Sequence, residues 1–347
     1  MEEDMSGIGF DAVIGQEQAV SHLQNALHTG RLSQAYLIHG EKGAGKTALA
    51  TALAAALMCE HPAEKGGRIE PCGVCHSCLQ VRARSHPDVI WVDNERAGAV
   101  TKTATLGVSV ARFIQSDVGI KPYQGDHKLY IVPNADTMSQ QAQNALLKTL
   151  EEPPAYAVLM LLTDNPAAFL PTVLSRCVTI QLHPAPEKDL LRMLEEKGVT
   201  GPEALTAVRL SHGNPGRCRD LLQEDRKRFR QEVTELLRGL KEADSHRITV
   251  FAQGLAENKA YMDDFLDFGQ SWYRDLLVMK STETADSLIF REEIPYIRSV
   301  AMTLSYQGLQ QSLDAFDEAQ RRRRSKENEA QIAQLLLLKL RRILRSG

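Results

Sequence analysis

A parallel α/β domain followed by an all-helical remainder is the fold predicted by three features of this 347-residue chain. Short apolar runs alternate with helically spaced apolar residues up to about residue 182, the pattern of a parallel sheet covered on both faces. A glycine-rich turn joins the first run to an alanine- and leucine-rich stretch. From His183 the strand-like runs disappear and only helical spacing continues.

Composition sets the outer bounds. An apolar fraction of 43% is enough for real cores, and the length suits two or three domains. A net charge of −3 excludes a generally basic nucleic-acid binder, so any such contact would need a local patch. There is no signal peptide and no apolar run approaching ~20 residues, which predicts a soluble, cytoplasmic chain away from membranes. Six cysteines in that compartment point to metal or free thiols before disulfides.

Residues 1–10 read as a poorly structured start. Ala19, Val20, Leu23, Ala26 and Leu27 then follow helical spacing as far as Gly30, a plausible residue after a helix end. Tyr36 to Ile38 form the first strand, and the turn beyond it fits G-x-x-x-x-G-K-[ST] over Gly40 to Thr47. Gly40, Gly43 and Gly45 permit positive φ and close backbone approach to a polyphosphate, and the Ala44 backbone shares that cradle. The following helix, Lys46 to Met58, turns its N-terminus to the anion. Lys46 is expected to bridge the β- and γ-phosphates of ATP, and the Thr47 hydroxyl to ligate Mg²⁺.

Cys59, Cys72, Cys75 and Cys78 follow as C-x12-C-x2-C-x2-C, with turn-rich sequence between them. Four thiolates close a tetrahedral zinc shell, and a closed shell is structural rather than catalytic. Disulfides are disfavoured by compartment. An iron–sulfur cluster overlaps the C-x2-C-x2-C spacing but lacks a further cysteine followed by proline. His61 or His76 could replace one thiolate. Structural zinc fits best; Cys177 and Cys218 read as plain buried thiols.

Val89 to Val92 read as the next strand, residues 94–107 as a surface loop, and residues from about Ser109 as a helix. Lys128 to Val132 form a buried strand, and Thr137 with Gln140 suggests a capping box for a helix that stops at Pro153-Pro154. Val158 to Leu162 and Val178 to Ile180 complete the sheet. Residues 183–228 read as a small helical unit, and 229–347 as a helical domain with breaks near Gly239, Ser245, Asn258, Ser281, Pro295 and Gly308.

These motifs resemble the AAA+ subunits of the bacterial replicative clamp loader, a part of DNA polymerase III. The resemblance rests on Ile14-Gly15-Gln16-Glu17, the P-loop, the cysteine loop, the run from Gln143 to Pro154, and Leu174-Ser175-Arg176-Cys177. Within the family it is closer to the delta-prime type than to the gamma/tau motor type. It implies an AAA+ domain with a zinc-binding insertion (1–182, cysteine module 59–78), a helical lid (183–228) and an α-helical collar for oligomerisation (229–347). It also implies that Arg176 acts in trans as an arginine finger on a neighbour's ATP, that Thr163 senses the γ-phosphate, and that Arg217 is the lid arginine.

One departure from the family decides the expected activity. Active members place two acids after the strand that here ends at Val132, and this chain has Pro133 and Asn134. Proline offers no ligand and asparagine no base. Loss of a catalytic carboxylate costs ~2–4 decades in rate. The expectation is therefore a non-hydrolysing subunit that binds ATP or ADP passively, if at all. Its implied partners are gamma/tau- and delta-type subunits, the sliding clamp and, through the complex, primer–template DNA. The alternative is a hydrolysing gamma/tau-like motor of the same machine. A P-loop kinase of small metabolites would leave the cysteine loop and Ser175-Arg176-Cys177 unexplained. The basic run Arg321 to Arg324 reads as a solvated helix face, and Phe265, Phe268, Trp272 and Tyr273 read as core.

Overall fold

The structure is a computed structural model that describes residues 7–98, 105–257 and 259–346. Part of the 94–107 loop, most of the 1–10 segment and the break at Asn258 therefore lie outside the described residues. The chain divides into two compact units, residues 1–190 with 213–216, and residues 191–212 with 217–347.

The first unit is a layered α/β domain. Helix α1 (Glu17–Thr29) precedes strand β1 (Ala35–His39), and α2 (Lys46–Met58) follows it. A small antiparallel pair, β2 (Ala63–Lys65) and β3 (Arg68–Glu70), leads to α3 (His76–Arg82). Then come β4 (Val89–Trp91), α4 (Val108–Asp117), β5 (Lys128–Val132), α5 (Gln140–Glu151), β6 (Ala157–Thr163), α6 (Pro171–Leu174) and β7 (Val178–Gln181). The main sheet has the order β4-β5-β6-β1-β7 and all its pairings are parallel. This is the parallel α/β sheet, with a glycine-rich turn after its first strand, that the sequence predicts.

Alternation along each strand builds two cores. Tyr36, Ile38, Leu129, Ile131, Val158, Met160 and Leu162 face α1, α2 and α3. Ala35, Leu37, Tyr130, Val132, Leu159 and Leu161 face α4 and α5. Helix α2 is buried almost all round, which is why its sequence shows no polar stripe.

Three local expectations are corrected. The N-terminal segment is not wholly loose: Ile8 and Phe10 are buried, and the Phe10 N–H donates to Glu70 Oε2 at 3.0 Å. The cap of α5 is Ser139, whose hydroxyl accepts from the Ala142 N–H at 3.2 Å. Thr137 instead closes a 3-10 turn over 135–137, donating to the Asn134 carbonyl at 2.8 Å. Gly308 lies inside a helix, because the Ser305 hydroxyl caps that helix by accepting the Gly308 N–H.

Around the unit division the chain forms α7 (Glu187–Glu195), α8 (Gly201–Leu210) and α9 (Pro215–Asp220). The second unit continues with α10 (Glu224–Gly239), α11 (Ser245–Glu257), α12 (Lys259–Thr282), α13 (Ile294–Thr303), α14 (Tyr306–Arg324) and α15 (Glu329–Ser346). Helix α10 runs without a break through the junction that the sequence suggested at 228/229. Phe265, Phe268, Trp272 and Tyr273 are buried, as expected of core. A Cβ at Gly269 would come within 2.5 Å of the Phe316 ring, so glycine there allows α12 and α14 to pack closely. The buried Asp275 accepts the N–H groups of Ile289 and Phe290 at 2.7 and 2.9 Å, pinning the segment before α13. Burial pushes its carboxyl above the usual range. In the basic run, Arg322 pairs with Glu318, and Arg323 with Asp263 and Glu329. Among the described residues, no helix is long and apolar enough to cross a membrane.

Candidate functional site

Every parallel strand ends on the same edge of the sheet, and the P-loop sits there, where ligands of open α/β sheets bind. Gly43 and Gly45 have φ of +87° and +105°, conformations that a side chain would strain. Gly45 is the residue before α2, and no side chain caps that helix, so its first N–H groups remain the donors for an anion. His39, the last residue of β1, is held below its ordinary value, first by burial and then by the charges of His183 and Lys46.

The structure gathers around this loop several residues that are distant in sequence. Asn214 Nδ2 donates to the Lys42 carbonyl at 2.8 Å, and the Gly216 N–H donates to the Gly43 carbonyl at 3.0 Å. Gln16 is buried and reciprocally bonded to the His183 backbone, donating at 2.6 Å and accepting at 3.0 Å. That pair fixes the start of α1 to the chain just after β7. Thr163 is fully buried; its hydroxyl donates to Asp136 Oδ1 at 3.1 Å and accepts from the Asn165 N–H at 3.0 Å. Lys46 Nζ donates to the carbonyls of Gly40 and Glu41, both at 2.8 Å, and pairs with Asp164 at 2.5 Å.

Sequence reasoning had marked Gly40, Gly43, Ala44, Gly45, Lys46, Thr47 and Thr163, and the structure brings these to one edge of the sheet. It missed Asn214 and Asp164 as neighbours of the loop. The Gly213-Asn214-Pro215-Gly216 break and the position of Asp164 directly after Thr163 were the available signals. Arg217 pairs with Asp267 at 2.5 Å within the second unit. Gly216 makes a specific prediction possible: a Cβ there would lie 2.8 Å from Gly43 Cα and 3.0 Å from its carbonyl oxygen. Backbone cannot retreat as a side-chain tip can. Gly216→Ala is expected to displace the P-loop and weaken nucleotide binding about tenfold or more, with ~1–3 kcal/mol lost in stability. Calorimetric titration and a melting curve of that variant check both.

After β5 the chain places no carboxylate in its first two positions. Pro133 follows the strand directly, and Asn134 is exposed with φ of +49°, a left-handed conformation that asparagine tolerates. Neither side chain offers a carboxylate. Asp136 is the acid nearest that turn, and it is engaged by Thr163.

Arg176 follows the short helix α6 and is exposed. It donates to the Thr172 carbonyl at 2.9 Å and pairs with Glu151 at 2.8 Å, at the end of α5. The side chain is thereby presented on the surface of the first unit.

The four cysteines converge. Their sulfur atoms all lie within 4.8 Å of one another, and Cys72 and Cys78 sulfurs are 4.0 Å apart. Zn–S bonds of about 2.3 Å in a tetrahedron separate sulfurs by about 3.8 Å, so the donor set fits zinc. The chain is also folded to support thiolates. Cys72 N–H points at Cys59 Sγ (3.2 Å), Cys75 N–H at Cys72 Sγ (3.3 Å) and Cys78 N–H at Cys75 Sγ (3.4 Å). Backbone N–H groups of Val74 and Cys75 hold the Cys72 thiol down at about 6, whereas burial pushes Cys59 and Cys78 up. Neither His61 nor His76 belongs to the cluster. The module is tied to the domain by Gln24, which donates to the Ile69 carbonyl and accepts its N–H.

Residues 15–186 match a family model described as DNA polymerase III, delta subunit. The chain is similar to the DNA polymerase III subunit delta' of Bacillus subtilis, with 29% identity over 94% of this chain and 96% of that protein. It is also similar to the DNA polymerase III subunit tau of Salmonella typhimurium, with 36% identity over 61% of this chain and 32% of that protein. It thus spans about a third of the length of that tau relative. A solved DNA polymerase III gamma subunit-related protein of Thermotoga maritima aligns over 93% of this chain and 99% of its own, with 19% identity and a TM-score of 0.43.

Proposed function

Because the chain is a relative of the delta-prime and tau subunits of DNA polymerase III, we propose that it is a delta-prime-like, non-hydrolysing subunit of the clamp loader. In this reading the first unit binds ATP or ADP passively, with Mg²⁺ at Thr47, and the cysteine cluster holds a structural zinc. Arg176 reaches a neighbouring ATPase subunit and stabilises charge on its γ-phosphate. The helices beyond residue 229 join gamma/tau- and delta-type subunits into a ring, with 183–228 as lid. The assembly loads a sliding clamp on primer–template DNA.

One observation carries the reading: a complete phosphate cradle stands beside a β5 edge that has only Pro133 and Asn134, while Arg176 is exposed on the surface. Such a chain has the means to hold a nucleotide and to contribute to another site. Neither Pro133 nor Asn134 is a base that could activate water. ATP binding and turnover on the purified chain test this directly. Binding without turnover is the expected result. Turnover that Lys46→Ala abolishes would instead support a hydrolysing gamma/tau-like motor, the reading favoured by the intact Lys46, Thr47 and Thr163 positions.

A further inference from the structure

The P-loop lysine is already saturated. An ammonium group has three N–H donors, and Lys46 directs them to the Gly40 carbonyl, the Glu41 carbonyl and Asp164 Oδ1. The lysine side chain is only 11% exposed, whereas Asp164 is 44% exposed at the end of β6. Strand β5 supplies no carboxylate in its first two positions beyond Val132, and Asp136 is occupied by Thr163. Asp164 is therefore the acid that meets Lys46.

We propose that Asp164 is an internal competitor for the terminal phosphate of the bound nucleotide, and that it sets the P-loop's preference toward diphosphate over triphosphate. This rests on the reading of the loop as a nucleotide site. A β- or γ-phosphate oxygen needs the same N–H donors that the carboxylate now accepts. Lys46 cannot serve both fully, and a displaced Asp164 remains a few ångströms from the incoming charge. A triphosphate brings more negative charge to this end of the loop than a diphosphate does, so the carboxylate opposes ATP more than ADP. One unit charge at roughly 5–6 Å from the phosphate, at an intermediate effective dielectric, corresponds to about tenfold in affinity.

The test is calorimetric titration of the full chain with ATP and with ADP, each with and without Mg²⁺. Asp164→Asn keeps the side-chain shape and removes the charge; Asp164→Ser checks that the new amide does not create an interaction of its own. Both are expected to tighten ATP about tenfold and ADP by less, with Mg²⁺ present or absent. In a Lys46→Ala background Asp164→Asn should give a smaller gain, since competition for the ammonium is gone and only repulsion of the phosphate remains. Unchanged affinity for ATP overturns the proposal. So does weakened binding confined to samples with Mg²⁺, which would make Asp164 a holder of the ion. Absence of binding by every variant also overturns it, because another feature would then keep the loop closed. Unchanged ATP affinity leaves the passive-subunit reading intact, since that reading falls on turnover by the isolated chain; absence of binding by every variant would remove the nucleotide from that reading as well.

Discussion

Arg176→Ala is expected to reduce DNA-dependent ATPase of the reconstituted clamp-loader complex by ~10³-fold or more at the site this chain faces. An arginine supplied to a phosphoryl-transfer site from a neighbour is worth ~10³–10⁵ in kcat, because it neutralises charge that grows only as the γ-phosphoryl group departs. Assembly should survive the substitution. The side chain is exposed and its ion pair with Glu151 is a surface one, so its loss costs the chain ~0–1 kcal/mol. Arg176→Lys should not restore the rate, because an ammonium cannot reproduce the planar two-donor fork. The measurement is steady-state hydrolysis by complexes matched for subunit content. Full activity in the alanine variant would remove Arg176 from the mechanism.

Removing metal from the cysteine cluster is expected to have the largest effect on stability. The module is too slight to hold its shape unaided. Strands β2 and β3 have three residues each and α3 has seven, below the length at which isolated hairpins or helices persist in water. Four thiolates on one zinc would supply what the short elements lack; structural zinc sites in small peptides bind with ~10–16 kcal/mol. Yet Cys78 and Val81 are buried in the same core as α2, so the loss cannot stay local. One zinc per chain is expected by elemental analysis. Chelation, or Cys75→Ser, should lower the melting temperature by ~10 °C or more and open residues 59–82 to proteolysis. A chain that purifies with iron, or that melts unchanged after chelation, would contradict the assignment.

The sequence makes legible whatever is written in local spacing. The P-loop occupies eight consecutive positions, the cysteines lie within one 20-residue stretch, and the inner strands β1, β5 and β6 are almost continuous apolar runs because both faces are covered. The hairpin over 63–70 escaped notice, although Gly66-Gly67, both at positive φ, is a two-residue hairpin signal. Its strands are mostly exposed or half-buried and carry no apolar run. The neighbours of the P-loop were less accessible still. Asp164, just after β6, and Asn214 and Gly216, at the start of α9, meet it only in the folded chain, and no window of sequence contains them together. The cap of α5 was misread for a different reason. Thr137 and Ser139 are both capping residue types, and the 3-10 turn before the helix takes up Thr137 and leaves Ser139 as the cap.

The strand order also determines when the parts can form as the chain is synthesised. Strand β1 lies between β6 and β7, with Ala35 paired to Leu159 and Tyr36 to Val178. Neither neighbour exists until most of the first unit has left the ribosome, and closing so long a loop is entropically costly before any pairing offsets it. All four candidate ligands of the cysteine module are present once Cys78 has been made. Were the cluster to take up zinc, that capture would come before the sheet closes, ordering the chain at the far end of α2 while the phosphate loop at its near end still waits for its walls.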